Sequence, residues 1–397
     1  DTRPCCPHIT RAFHHSISVV RSVQMLFGVE GDEMEEASAI GVARRKKREL
    51  DASFFKKGIL VALFSSLMYG FYTAFITAGE SSSLWLGWLQ AISPTAFLAV
   101  FILPTVASAI NDSCSALWAL GITAKQGKLA DFGRTVNTKP GVILILSALV
   151  GGPIATVAYI IALSQAGTIV VPIAALNPAI GSILSRILYK QELGPRKIAG
   201  IAICVVAGLM IGSASLTGDS SSNIVLGLVL AFVAALGWGA EGCIAGYASC
   251  MIDTQIGITI RQCVSGIVEL LVVLPVLSLV GGVSLQQTFG YVGAAITDLP
   301  TIVCFAVAGF SAYKSFASWY RGNSMCGTAL GMACNGTHTF VAPLVTWIIV
   351  GLVMGVDGYA LAPIAWVAAI VMIVGILVIA VDPKELFGKK EAENASA

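Results

Sequence analysis

A handful of ionisable side chains interrupt long apolar stretches of this sequence, and they are where its chemistry would lie: Glu241, Glu269, Lys314 and His338. At a bilayer centre a charge costs about 2.5–3.5 kcal/mol on insertion scales, so each such group calls for a partner or a water-filled cavity. Glu241 and Lys314 each stand about seven residues from the end of their stretch, about 10 Å deep at 1.5 Å per residue. Equal depth predicts a Glu241–Lys314 ion pair. Facing a cavity, it would bind a zwitterion or break during gating; otherwise it locks two helices together. Glu269 and His338 sit near the middle of their stretches and are candidates for taking up a proton, because burial penalises a carboxylate and imidazole titrates near neutrality. The polar run Asn335-Gly-Thr-His338 breaks an apolar helix and points to a cavity-facing turn. Asn177-Pro178 interrupts another stretch, where proline frees a backbone carbonyl beside the asparagine amide, a good substrate contact or a simple kink. Asp112, between Asn111 and Ser113, reads as structural.

Other chemistries lack their residues. The ten cysteines form no CxxC pair, which argues against zinc and thioredoxin-like sites, and no metal or cofactor is expected. A Walker A motif is absent, as are HExxH and GxSxG, so neither ATP hydrolysis nor an enzyme of those classes is expected. The glycines of the Gly/Ala/Ser-rich stretches read as close helix packing rather than a phosphate loop. The sequons at Asn111 and Asn335 fall in apolar stretches and the one at Asn394 in a polar tail, so no glycosylation is read from them.

The elements that must hold these groups are membrane helices. Of 397 residues, 56% are hydrophobic and 12% charged, half the roughly 25% charge of a soluble domain, and the mean hydropathy is +0.84. Disordered chains, disulfide scaffolds and ordinary soluble enzymes are excluded, and a net charge of +2 gives no reason to expect nucleic acid. Ten stretches approach the ~20 residues a spanning helix needs: 58–78, 93–121, 140–163, 169–188, 197–214, 224–248, 256–280, 300–320, 326–350 and 362–381. Residues 1–57 form a polar, basic tail. Met34 reads as a natural start, so 1–33 are expected to be an upstream extension or an artefact. Residues 382–397 form a charged tail. Arg44–Arg48, Lys56, Lys57, Lys125, Lys128, Arg134, Lys139, Arg186, Lys190, Arg196, Lys197, Arg261, Lys314, Arg321, Lys384, Lys389 and Lys390 all fall on one side of that count. The opposite loops carry Glu80, Asp219, Asp298 and Asp357 instead. The positive-inside rule then puts both termini in the cytoplasm.

The two halves resemble each other. Gly58–Gly70 aligns without gaps on Gly227–Gly239, matching Ala62 with Ala231, Leu67 with Leu236 and Gly70 with Gly239. Five spans per half would insert the second half, 224–381, upside down relative to the first, 58–214, the architecture of many secondary transporters.

Gly151–Gly212 carries Ala162–Gly167 at the end of one span, a central Asn-Pro in the next, a short hinge with Glu192 and a Gly-rich span; ALGWGAEG, Ala235–Gly242, opens the second half. Over about residues 58–381 the sequence resembles the drug/metabolite transporter superfamily in its EamA-type branch. Between spans 9 and 10 it departs, with Gly355–Gly358 in place of a Glu hinge. The resemblance implies ten helices around a central cavity lined by spans 1, 3, 4, 6, 8 and 9. It would place Tyr69, Tyr72, Tyr159, Trp238 and Tyr313 on that cavity, as aromatic walls for an apolar or ring-bearing substrate, and Glu269 on a peripheral span. The expected protein is an all-α, multi-pass secondary transporter of a small metabolite, amino acid or drug in the plasma membrane, in contact with lipid and a small-molecule substrate, as a monomer or homodimer. The alternatives are a sugar or lipid-precursor carrier and, behind it, an intramembrane enzyme.

Overall fold

The computed structural model describes residues 33–93, 96–166, 173–174, 176–190, 193–213, 224–248, 251–357, 359–361 and 363–380. The expectations for residues 1–32, 381–397 and the loop around Asp219 lie outside this set. All regular structure among the described residues is helical. The chain opens with the 48-residue α1 (Glu33–Glu80) and the short α2 (Ser83–Ala91). Then come α3 (Leu98–Lys125), α4 (Leu129–Val136), α5 (Lys139–Leu149), α6 (Ala155–Ala166), α7 (Asn177–Tyr189) and α8 (Pro195–Ser213). The second half contains α9 (Ile224–Ala248), α10 (Thr254–Val268), α11 (Leu274–Val280), α12 (Leu285–Thr297), α13 (Leu299–Cys326), α14 (Thr328–Asn335), α15 (His338–Thr346) and α16 (Pro363–Ala380).

Seven of these helical stretches are long and apolar enough to cross a membrane: Ser53–Glu80, Leu98–Lys125, Lys139–Tyr159, Val225–Ala245, Thr254–Val280, Leu299–Cys326 and Thr328–Val353. The protein is an all-α, multi-pass membrane protein. Its outward faces are apolar: Leu60, Leu117, Val225, Leu279, Leu299 and Val353 are all strongly exposed, and only lipid solvates such a surface favourably. Ser65, Asn111, Gln262, Ser265 and two glutamates are meanwhile buried. The expected stretches 169–188, 197–214 and 362–381 overlap α7, α8 and α16, each of which borders residues outside the described set.

The helices are less regular than periodicity alone predicts. The expected span 140–163 is divided by a π-helical turn, Val150–Ile154, that contains Gly151-Gly152-Pro153. Proline has no N–H for the ladder, and the wider turn absorbs the loss. Three more π turns occur: Leu98–Ile102 begins α3, Glu269–Val273 separates α10 from α11, and Trp347–Val353 continues α15. Asn177-Pro178 does not kink the middle of a helix as expected: these residues open α7, with the proline in its first turn, where its missing N–H costs nothing. The sequence reading also missed α2, α4 and α12, three helices too short to span, which lie between the long ones.

Small residues set the packing. α1 runs against α13 and α15, α9 against α6 and α7, α3 against α10 and α13, and α8 against α16. A methyl group on Gly322 would stand 2.8 Å from the Ala62 Cβ, so α13 and α1 touch nearly backbone to backbone. Gly200 and Gly375 do the same for α8 and α16, each facing the other's carbonyl.

Candidate functional site

Where α3, α9, α10 and α13 meet, the apolar interior gives way to a network of charged and polar side chains. Its hub is Arg261, 2% exposed. The Arg261 Nε donates to Glu241 Oε1 at 2.9 Å, its Nη1 donates to Gln262 Oε1 at 2.6 Å, and Nη1 lies 3.9 Å from Asp112 Oδ2. The guanidinium carbon sits 3.7 Å over the Phe316 ring, a cation–π contact that covers its open face. Tyr320 donates its hydroxyl to the same Glu241 Oε1 at 2.9 Å. The Gln262 amide donates in turn to Ser115 Oγ.

A second limb runs along α10. Arg261, Ser265 and Glu269 are four residues apart and so share one face. Ser265 Oγ donates to Asp112 Oδ2 at 2.5 Å and stands 3.4 Å from Glu269 Oε1, and Ser108 donates to Glu269 Oε2 at 2.6 Å. Asn111 Nδ2 donates to Asp112 Oδ1 at 2.9 Å. Two carboxyl groups, those of Glu241 and Asp112, thus approach a single guanidinium, a third, that of Glu269, joins through Ser265, and all three are buried. Two buried oxygens of this region, Glu241 Oε2 and Asn111 Oδ1, have no hydrogen-bond partner.

Glycines make the room. A Cβ on Gly151 would collide with the Glu241 carboxylate, and one on Gly152 would stand 2.6 Å from Ser265 Oγ. Gly266 lies where a Cβ would come within 3.0 Å of the Asp112 carbonyl, which lets α10 and α3 close on each other. The π turn at Val150–Ile154 therefore presents bare backbone to the carboxylates.

An aromatic wall adjoins the network. Tyr69 packs against Tyr72 with ring centroids 5.1 Å apart and against His338 at 4.3 Å. Tyr159 packs against Trp238 at 5.1 Å. Tyr69 is near enough to interact electrostatically with Arg261, Asp112 and Tyr159. Tyr69, Tyr72, Tyr159 and His338 are half-buried. His338 Nδ1 pairs with the Asn335 carbonyl at 2.7 Å, and Asn335 Nδ2 donates to Ser65 Oγ at 2.8 Å, tying the α14–α15 break to α1. His338 and Asn177 line one cleft with Pro178, Cys204 and Met372; its volume of about 20 Å³ holds about one water.

The expected site residues thus divide. Tyr69, Tyr72, Tyr159, Trp238, His338, Asn335 and Asn177 gather around the interior. Glu269 bonds across to α3, as a helix-to-helix contact. The predicted Glu241–Lys314 pair does not form: Glu241 belongs to Arg261. Lys314 lies on the outward stripe Val303, Val307, Phe310, Lys314, Arg321 of α13, where Val303 and Val307 are exposed. There its ammonium lies 5.2 Å from the Tyr313 ring centroid. Equal depth did not mean a shared face. Tyr313 is also not on the interior wall. It is packed with Ala119 and Ile258 and donates to Gln255 Oε1 at 2.5 Å. Arg261, read from sequence as one of the basic residues of a single face, is the buried hub instead. It, Gln262, Ser265, Ser108 and Tyr320 were missed. The available signal was the four-residue spacing Arg261–Ser265–Glu269 inside an apolar helix.

This is the polar interior of a polytopic helical membrane protein. No known family and no curated protein matches the chain. Among solved structures 27 chains are similar. One of them, a crystal structure of a protein, aligns with a TM-score of 0.53 at 12% identity, covering 81% of this chain and 96% of its own. At that identity the likeness speaks to the fold alone.

Proposed function

We propose that the protein is a secondary-active carrier that moves a small organic solute (a metabolite, amino acid or drug) across the plasma membrane by alternating access. In this reading ten helices form two inverted five-helix repeats with both termini in the cytoplasm. The observation that carries it is the buried charge network joined to half-buried aromatic pairs in an otherwise apolar bundle, because ionisable groups at membrane depth are retained where something polar must bind or pass.

The packing supports the repeat. Exchanging the halves turns the α1–α13 contact into α9–α6, and α1–α15 into α9–α7, while α3–α10 and α8–α16 map onto themselves. Aligned residues do equivalent work. Ala62 packs on α13 and Ala231 packs with Ala162 of α6. Gly70 admits Val341 and Val345 of α15, and Gly239 admits Ile180 of α7. The network spans α3 and α10, the pair that maps onto itself, which is where transporters of inverted repeats keep their sites. The test is uptake and efflux in proteoliposomes against a panel of amino acids, amines, sugars and aromatic metabolites, with and without a proton gradient. Net movement of one class supports the carrier; chemical conversion without net movement overturns it in favour of an enzyme.

A further inference from the structure

We infer that Asp112 and Glu269 hold a single proton between them, with Ser265 as the bridge, and that this pair is the protein's proton-binding site. Three buried carboxyl groups share a network that holds one guanidinium, that of Arg261: Glu241 at 2.9 Å, Asp112 at 3.9 Å, and Glu269 linked through Ser265. Glu241 takes the close contact with Arg261. That leaves two carboxyl groups in one dry site, and like charges that share a site do not both ionise.

The hydroxyl count says where the proton goes. Ser265 has one hydrogen, yet its oxygen faces carboxyl oxygens on both sides, Asp112 Oδ2 at 2.5 Å and Glu269 Oε1 at 3.4 Å. If Ser265 donates to Asp112, the Glu269 contact is a hydrogen bond only when Glu269 carries the hydrogen and donates it to Ser265 Oγ. Uptake therefore adds one proton to Glu269 Oε1 and completes the chain Glu269–Ser265–Asp112. Release returns that proton to water and leaves Ser265 bonded to Asp112. A metal ion fits less well. The Arg261 guanidinium would face it, and among the described residues no group of three His, Cys, Asp or Glu side chains could hold one. The other charged or titratable groups around the pair are Tyr69 and Tyr72 from α1, Glu241 from α9, Arg261 from α10 and Tyr320 from α13. Two further observations mark the spot as built for change. The π turn begins at Glu269, and such turns recur at functional sites. Glu241 Oε2 and Asn111 Oδ1 are buried with no partner, so the network has unfilled acceptors.

The use of this proton, as the ion that drives solute movement, rests on the carrier reading; its presence does not. Infrared difference spectroscopy of the full chain in lipid nanodiscs, titrated with pH and in deuterated buffer, reads protonated carboxyl groups directly and needs no solute. Wild type is expected to show a carboxylic-acid carbonyl band at neutral pH that disappears in Glu269→Gln. In Asp112→Asn that band should titrate away at a pH lower by about one unit or more, because the like charge is gone. Asp253→Asn, on an exposed carboxyl, should leave the band untouched. No band in wild type at neutral pH overturns the inference without recourse to any variant. So does a band that survives both Glu269→Gln and Asp112→Asn. Failure here leaves the carrier reading standing, and failure of solute movement in proteoliposomes leaves the proton site standing.

Discussion

Arg261→Met removes the hub of the network while keeping length and apolar volume, and its cost follows from the geometry. A full charge pair at the 2.9 Å separation of Arg261 Nε and Glu241 Oε1 attracts by about 6 kcal/mol at an effective dielectric near 20. Stripping water from each ion costs several kcal/mol, so the intact pair contributes little net stability. The single variant is a different matter. It leaves Glu241 with Tyr320 as its one remaining partner and Asp112 without its guanidinium, and stranding a buried charge costs about 3–5 kcal/mol. Unfolding in mixed micelles, by titrating sodium dodecyl sulfate into dodecyl maltoside and following tryptophan fluorescence, should show that loss for Arg261→Met. A comparable loss is expected for Arg261→Gln, which keeps some hydrogen bonding and so separates charge from packing. The double variant Arg261→Met/Glu241→Gln should recover at least about 2 kcal/mol of the sum of the single losses, since contacting residues couple by up to about 3 kcal/mol. Arg261→Met unfolding within about 1 kcal/mol of wild type, or losses that simply add in the double variant, would refute the hub.

Gly151→Val should destabilise by about 1–3 kcal/mol in the same titration, since its Cβ meets the Glu241 carboxylate; Gly87→Ala, open on all sides, should cost less than about 1 kcal/mol. Asp253 caps α10, accepting from the Gln255 and Ile256 N–H groups and from Lys128 Nζ at 2.7 Å, so Asp253→Ala should cost about 1 kcal/mol at neutral pH. Partial burial pushes the Asp253 carboxyl up, but Lys128 and the backbone N–H groups outweigh it and hold the carboxyl below its ordinary value. The stabilisation is therefore complete above about pH 4 and fades as pH falls through the lower folded value, so wild type and Asp253→Ala should converge in acid. Trp238→Ala, which strips the partner of Tyr159, should weaken solute affinity in the proteoliposome assay by about tenfold while leaving the protein folded. His338→Ala should alter the pH profile of transport between about pH 5.5 and 8, and an unchanged profile removes His338 from the proton path.

Helix class was legible because it follows from composition and period: an apolar run of spanning length has no other stable fold in lipid. His338 was marked by the polar run that breaks an apolar stretch, whereas Tyr69, Tyr72, Tyr159 and Trp238 were singled out only through the family resemblance. The partners of the charges were not legible. Depth along a helix can be counted from its ends, but facing depends on how each helix is rotated when it packs, which no count along the sequence records. α9 and α13 are both unbroken helices, yet Glu241 turns to Arg261 while Lys314, at the same depth, lies beside the Tyr313 ring. Arg261 was hidden by a different cause. Near a helix end, an arginine in a membrane protein usually belongs to a loop facing water, and only tertiary packing of Asp112 and Glu241 around it makes it an interior residue. The helices α2, α4 and α12 escaped because at 9, 8 and 13 residues they fall short of the length by which a spanning helix is recognised.

On the proposed repeat, a duplicated scaffold and an unduplicated chemistry belong together. Packing can be duplicated freely: Gly70 and Gly239, or Ala62 and Ala231, make the same close approach in each half at no electrostatic cost. A buried charge cannot. Two copies of Arg261 on either side of the α3–α10 contact would face each other across a site with little water, whereas an acid on α3 against a base and an acid on α10 is a self-compensating set. On that reading the α3–α10 pair carries complementary groups, Asp112 on α3 and Arg261 on α10 with Glu269 in the π turn that follows it, instead of a doubled group. On the carrier reading, motion of one half against the other would change the Asp112–Ser265–Glu269 spacing, because Asp112 lies in the first half and Ser265 and Glu269 in the second, and the proton inferred there would sense that motion.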